Sequence, residues 1–287
     1  MRYIFLIRMH HWVKNMFIFV PIFFSGNILD RSSFLLLCQG FLCFCLVSSA
    51  VYIFNDLKDI ESDRKHPVKK NRPIPSGKIS VLQAWIIMII FGSAGIVGAF
   101  LLKPEFSYLV MLYLIINIAY SLGLKNMSLI DVFLVSTGFL LRTVSGGVLA
   151  DIYISQWLII MVFLLALLLT FAKRRDELIL EKETNKKRRL SCQYYTLDFI
   201  NICLSLIAGI IMVSYLMYTF SEDVQERVGE NYLYITSLFV FAGILRYLQI
   251  TLVGNKSGSP TRIFLTDRII QFNVFGWFLA FFITLYL

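Results

Sequence analysis

The sequence predicts an all-α polytopic membrane bundle of nine transmembrane helices, with the N-terminus in the cytoplasm. Three observations predict it. Hydrophobic residues make up 58% of the 287 positions, where soluble domains hold about 45–50%. Charged residues are 16%, against about 25% in an ordinary globular domain. Apolar stretches recur, each near the roughly 20 residues that cross a bilayer. This composition excludes a soluble enzyme and a disordered chain. A net charge of +9 would suggest nucleic acid in a soluble protein. Here the basic residues sit between apolar spans, so membrane orientation, anionic lipid and phosphate substrates account for them, and no nucleic acid partner is expected.

In chain order the spans fall at about 12–29, 32–54, 80–102, 106–123, 129–149, 154–172, 197–219, 231–253 and 267–287, each set by apolar length. The first begins at an interface, because His10, His11, Trp12 and Lys14 precede its apolar part. No cleavable signal peptide is expected, since Lys14 interrupts that stretch and no small-residue cleavage site follows. Links at 27–31, 103–105 and 151–153 are short. Long polar loops occupy about 55–79, 173–196 and 254–266. Basic residues crowd those long loops and the N-terminus, whereas the opposite connections hold only Arg31, Lys103 and Arg227. The long loops are therefore cytoplasmic. Residues 1–287 read as one transmembrane domain, and the loops at 55–79 and 173–196, each after an even-numbered span, suggest two related halves. The five cysteines form no C-x-x-C pair and read as small buried hydrophobes. His10, His11 and His66 lack metal-ligand spacing and read as polar anchors.

The first chemical constellation is Asn55-Asp56-Leu-Lys-Asp59-Ile-Glu-Ser-Asp63-Arg64, with no helix breaker before Pro67. If the helix continues, Asn55, Asp56, Asp59 and Asp63 lie at about 0°, 100°, 40° and 80° around it. Lys58 and Glu61 point elsewhere. Carboxylates this close repel unless a cation neutralises them. Mg²⁺ uses one or two carboxylates and keeps positions for substrate phosphates, so the face suits a metal-held diphosphate. A solvated juxtamembrane loop is the competing reading. The loop His66-Pro67-Val-Lys69-Lys70-Asn-Arg72-Pro73-Ile-Pro75-Ser-Gly77-Lys78 follows. Its three prolines predict a rigid extended segment that brings Arg72 and Lys78 near the acidic face. Positive-inside anchoring explains the same cations equally well.

These motifs, Asn55-Asp56-x-x-Asp59-x-x-x-Asp63 and Arg72-Pro73-Ile74-Pro75-Ser76-Gly77, resemble the first signature of the UbiA-type prenyltransferase superfamily. The resemblance implies nine transmembrane helices and a Mg²⁺-dependent active site at the cytoplasmic face. Aromatic prenyltransferases of that superfamily carry a second Asp-rich motif after the sixth span. This chain departs there and reads Lys173-Arg174-Arg175-Asp176-Glu177-Leu178. On a continued helix Lys173, Arg174, Glu177 and Glu181 share one face, while Arg175 and Asp176 point away. Fixed positive charge fits a substrate with more phosphate, although an i,i+4 ion-paired helix end gives the same pattern. Further segments resemble the decaprenyl-phosphate phosphoribosyltransferase branch. They are Met9-His10-His11-Trp12-Val13-Lys14-Asn15, Tyr120-Ser121-Leu-Gly-Leu-Lys125 with Asp131, and Gly258-Ser259-Pro260 with Asp267.

The branch implies transfer of 5-phosphoribose from 5-phosphoribosyl diphosphate to a polyprenyl phosphate, in a bacterial-type inner membrane. It implies Mg²⁺ on Asn55, Asp56, Asp59 and Asp63. Arg72, Lys78 and Lys125 then address the diphosphate or 5-phosphate. Lys14, Lys173 and Arg174 address either phosphate group or the lipid phosphate, Asn15 and Asp267 lie in matching motifs, and Tyr120 and Glu177 shape the ribose site. Asp56, Asp59, Asp63, Lys173 and Glu177 are the catalytic set. Arg142 and Arg246 lie within spans, where charge is expensive, and read as phosphate ligands or as interhelical pairs. Gly92, Gly95, Gly98, Gly146 and Gly147 are expected to permit close helix contacts. The partners are thus 5-phosphoribosyl diphosphate, a polyprenyl phosphate and membrane lipid, with homo-oligomer formation left open. Two other functions compete: prenyl transfer from a diphosphate to an aromatic acceptor, and a non-enzymatic transporter or lipid binder.

Overall fold

The computed structural model describes residues 2–66, 68–184, 190–222, 224–225, 233–254 and 260–286. Pro67, Arg227, Gly258 and Ser259 lie outside the described residues. Among the described residues the secondary structure is helical, without strands. A bilayer core offers no water to the backbone, so each spanning segment must satisfy its own N–H and C=O groups.

The helices are α1 (Arg2–Ile7), α2 (Val20–Phe24), α3 (Arg31–Lys58), α4 (Ile60–Lys65), α5 (Val81–Leu102), α6 (Pro104–Leu122), α7 (Ile130–Leu149), α8 (Gln156–Thr184), α9 (Leu197–Thr219), α10 (Ser237–Leu252), α11 (Pro260–Thr266) and α12 (Arg268–Tyr286). Among the described residues seven helices are long and apolar enough to cross a membrane, and Arg268–Thr284 is a shorter apolar one. Caps fix several starts. Asp30 accepts from the Ser32 and Ser33 amides ahead of α3, and hydrogen bonds from Ser33 and Ser32 hold its carboxyl at about 2. Ser80 and Gln83 form a reciprocal capping box on α5, and Thr196 caps α9.

The expected first span at 12–29 takes another form. Met9–Phe19 is a 3-10 helix, followed by the five residues of α2. Pro21 lacks an N–H and sits in the first turn of α2, where that loss is tolerated. Eleven residues of 3-10 helix rise about 22 Å, so the segment is more extended than an α-helix of the same length. The 66–80 loop also differs from the extended form expected of its prolines. Lys69–Asn71 is a 3-10 turn, and tight turns follow, closed by bonds from Ser76 N to Arg72 O and from Gly77 N to Ile74 O. Proline's fixed φ suits turn positions as well as extended ones, and Gly77 supplies a φ of 74°.

Two compact units divide the chain: Met1–Lys125 with Thr137–Ile154, and Asn126–Ser136 with Ser155–Leu287. In the first, α3 packs on α5 and α6, and the 3-10 segment lies along α3. Its core includes Ile18, Phe44, Val47, Phe106, Tyr113 and Leu149. A second cluster of Leu6, Ile53, Ile74, Ile79 and Ala84 pins the proline loop to α3 and α5. A Cβ on Gly95 would meet Val47 and the Cys43 carbonyl at 2.6 and 2.9 Å, and one on Gly146 would overlap the Ile18 carbonyl. In the second unit α8 packs on α9 and α10 on α12, around Leu168, Phe171, Tyr195, Leu204 and Tyr247. The five cysteines are free thiols, three buried and two partly so.

A Gly95→Val substitution is expected to cost about 1–3 kcal/mol through overpacking, read as a lower Tm in detergent. Gly209→Ala, with nothing within 4 Å of the added carbon, is expected to leave Tm unchanged or raised.

Candidate active site

In the first unit the site begins where α3 ends. Backbone bonds from Asp59 N to Asn55 O and from Asp63 N to Asp59 O carry helical register across the joint into α4. The expected face is therefore present. Asp56 and Asp63 are buried, Asn55 and Asp59 are half-buried, and Lys58 and Glu61 are exposed.

Each carboxylate is met by a cation. Arg72 Nη1 donates to Asp56 Oδ1 at 3.0 Å and to Asp63 Oδ2 at 2.6 Å. Arg8 Nη2 donates to Asp56 Oδ1 at 2.5 Å, and Lys69 stands 3.8 Å from Asp63. Lys125 Nζ donates to both oxygens of Asp59 at 2.7 and 2.8 Å. The proline loop places Arg72 among these groups because buried Ile74 and Ile79 anchor it, and Arg64 Nε donates to the Pro75 carbonyl. Lys78, by contrast, is exposed and forms no ion pair among the described residues.

The donor set can be tested for a divalent ion. Asp56 and Asp63 aim oxygens at one cationic atom, Arg72 Nη1. Two hard carboxylates converging on one positive centre fit Mg²⁺, which takes one or two and leaves other positions for phosphate. Among the described residues no three His, Cys, Asp or Glu side chains form a ready-made cage, and Asp59 pairs with Lys125.

Lys14 and Asn15 stand on the 3-10 segment. Asn15 is fully buried, donates to Ser48 Oγ at 3.2 Å and accepts from Arg142 Nε at 2.7 Å. Arg142 is buried and also donates to the Gly138 carbonyl and the Tyr113 hydroxyl, with its guanidinium 4.5 Å from the Tyr113 ring centre. Tyr120, near the end of α6, is half-buried.

The second unit holds a separate network. Arg174 is buried and donates through Nε to Asp131 Oδ2 and through Nη1 to Glu177 Oε2, both at 2.7 Å. Fully buried Asp131 also accepts from Tyr195 Oη at 3.2 Å. Burial pushes the Tyr195 hydroxyl up to about 12, so it stays protonated and donates. The same oxygen accepts from Leu129 N at 2.6 Å. Leu129 has a φ of 66°, a conformation disfavoured for a bulky residue, and that bond helps hold it. Lys173 is exposed. Arg175 turns away from Arg174, as the spacing predicts, but it is not idle. It donates to Asn201 Oδ1 and to the Thr251 carbonyl in the last turn of α10. Arg246 forms a bidentate pair with Asp267 and donates to Gln249. The hydrogen bond from Arg246 holds the Asp267 carboxyl below its ordinary pKa.

Arg8, Tyr113, Arg175 and Tyr195 escaped sequence reasoning as site residues. Arg8 lies 48 positions from its partner and reaches it through a left-handed turn, φ 52° and ψ 50°. Its only sequence signal was positive charge near an interface. Asp131 was visible through its motif, although its burial was not.

Membrane-length helices with buried carboxylates tied to guanidinium groups at their ends define a multi-pass membrane protein with a charged cluster in each unit. The chain belongs to the UbiA prenyltransferase family, whose model matches residues 16–265. It is 30% identical over 281 residues to the decaprenyl-phosphate phosphoribosyltransferase of Mycolicibacterium smegmatis, covering 94% of this chain and 88% of that one. The Corynebacterium glutamicum protein of the same name is 29% identical, over 94% and 82%. The structure of a UbiA homolog from Archaeoglobus fulgidus bound to GPP and Mg²⁺ superposes with a TM-score of 0.74 at 18% identity, covering 98% and 99% of the two chains.

Asp131→Asn is expected to destabilise the folded protein by about 1–3 kcal/mol, because buried Arg174 loses its fully buried carboxylate and keeps only the half-exposed Glu177. Thermal unfolding in detergent reads this, and a conservative Glu177→Gln at the half-exposed partner is expected to cost far less.

Proposed function

We propose that the protein transfers 5-phosphoribose from 5-phosphoribosyl diphosphate to a polyprenyl phosphate, releasing diphosphate. The observation that carries this reading is the likeness, along 94% of the chain, to proteins named decaprenyl-phosphate phosphoribosyltransferase. The α8 exit supports it, since Arg174 and Glu177 stand there in place of an Asp-rich motif.

The reaction forms a bond from a lipid phosphate oxygen to ribose C1 and breaks the bond from C1 to the diphosphate oxygen, whose electrons leave with diphosphate. The acceptor is already ionised at neutral pH, so no strong base is required. The demanding part is departure of diphosphate from an oxocarbenium-like carbon, which is a task for placed positive charge. Asn55, Asp56, Asp59 and Asp63 would hold Mg²⁺. Bound there, Mg²⁺ would neutralise the charge that develops on the leaving diphosphate. Arg72 and Lys125, held beside those carboxylates, would donate to diphosphate or 5-phosphate oxygens. Lys173 and Arg174 would bind a phosphate group, and Tyr120 and Glu177 would contact the ribose. Arg246 and Asp267 would act through their mutual pair, and exposed Lys78 would act as a long-range attractor. Nine membrane crossings, an inner-membrane location and cytoplasmic long loops complete the reading, supported by the bias of basic residues.

Prenyl transfer from a diphosphate to an aromatic acceptor is the second reading, favoured by the family match. One assay separates the two. Purified protein with Mg²⁺ receives labelled 5-phosphoribosyl diphosphate and polyprenyl phosphate, and in parallel a labelled prenyl diphosphate with 4-hydroxybenzoate. Label is expected to pass from the ribose donor into lipid and to be lost with EDTA or Asp56→Ala. Product in the parallel tube alone would establish the second reading instead.

A further inference from the structure

The cations of the first unit that are buried or half-buried, Lys103 with its Asp151 partner aside, fall into two groups. Arg8, Arg72 and Lys125 are neutralised by carboxylates. Lys14 and Arg142 are not. Lys14 is half-buried and has no ion-pair partner among the described residues. Arg142 is 4% exposed, and its hydrogen-bond acceptors, Asn15 Oδ1, the Gly138 carbonyl and the Tyr113 hydroxyl, are all neutral. Those three bonds use three of the five N–H groups of a guanidinium. Lys14 immediately precedes Asn15, whose side chain accepts from Arg142 Nε at 2.7 Å, and it lies within electrostatic reach of Arg142 and Arg8. Two like charges in the low-dielectric part of a membrane protein are costly without a counter-anion. The chain builds this cluster deliberately. Asn15 is fully buried and hydrogen-bonds both Arg142 and Ser48, so the 3-10 segment is held against α3 and α7.

The depth of the cluster indicates which anion. Asn15 meets α3 at Ser48 and Cys45, and Ser48 lies about 12 Å along the helix from Asp56. Tyr52 stands between these levels, with Arg8 5.2 Å from its ring centre. The acidic cluster thus occupies the polar-loop end of α3, and the unpaired cations lie deeper in the apolar part. A water-soluble donor arrives at the first level. An anion carried on an apolar tail is suited to the second. In the proposed reaction the attacking phosphate and the leaving diphosphate meet at ribose C1, and two anion-binding clusters that follow one another along α3 suit one group each.

Resting on the proposed function, we infer that Lys14 and Arg142 form the binding site for the phosphate of the polyprenyl acceptor. Lys14 contacts that phosphate as a point charge, and Arg142 donates its two remaining N–H groups. Asn15 and Tyr113 are positioning residues, which orient the guanidinium.

Equilibrium binding on the full-length protein in nanodiscs tests this without turnover, with radiolabelled farnesyl phosphate as the probe. Lys14→Met is expected to weaken binding by about tenfold or more, the loss of a charge-assisted phosphate contact. Binding of labelled 5-phosphoribosyl diphosphate with Mg²⁺ is expected to change by less than about twofold. Arg142→Gln is expected to act in the same direction. Half-buried Lys14 keeps the test open if that variant does not fold, and an unchanged Tm verifies Lys14→Met. Unaltered farnesyl phosphate binding in Lys14→Met, or loss of donor binding instead, overturns the inference. Displacement of the lipid by equimolar inorganic phosphate also overturns it, since a free-anion site would then explain the cluster. If the wild-type protein bound no polyprenyl phosphate, the proposed function itself would fall, which is a different result from a wild-type and variant that bind alike.

Discussion

Three carboxylates within two helical turns cannot coexist in a half-buried place without positive charge beside them. That requirement organises the first unit. Asp56 and Asp63 converge on Arg72, Asp56 also draws Arg8, and Asp59 draws Lys125. The three cations come from three separate segments: the turn before the 3-10 helix, the proline loop, and the link after α6. Neutralising the α3–α4 face therefore ties the N-terminal segment, the loop and the end of α6 to one point. The apolar packing under the loop, through Ile74 and Ile79, makes the arrangement specific, because Arg72 has little freedom to leave.

The second unit meets the same electrostatic problem with one cation as hub. Arg174 is shared between Asp131 and Glu177, and Tyr195 adds a donor to Asp131. Such a buried pair is poor proof of stability, since desolvation offsets much of its Coulomb gain. Its value is positional: with Arg174 fixed on one side of α8 and Arg175 fastened to the end of α10 on the other, the helix exit has a defined rotation.

The sequence made much of this legible. Apolar length located the long helices, with α5, α7 and α9 within a few residues of expectation, because a bilayer imposes a length that side chains must match. The i,i+4 spacing revealed the acidic face, since helical periodicity is local. Two things stayed hidden. The 3-10 form of Met9–Phe19 goes with Asn15 meeting Ser48 and Arg142, and the turns of the proline loop go with Ile74 and Ile79 entering a core. Arg8, Tyr113 and Tyr195 gain meaning from partners 29 to 66 positions away. No spacing rule sees a pairing at that range, where tertiary packing decides it.

The most direct test of the account is whether the Asp56–Asp63 face is a cation site that works with diphosphate. Electron paramagnetic resonance of Mn²⁺ with the purified protein, with and without inorganic diphosphate, measures this independently of turnover. Protein-bound Mn²⁺ is expected, strengthened by diphosphate and lost in Asp63→Asn with the variant still folded. Equal Mn²⁺ binding by the wild-type protein and the folded variant would contradict it.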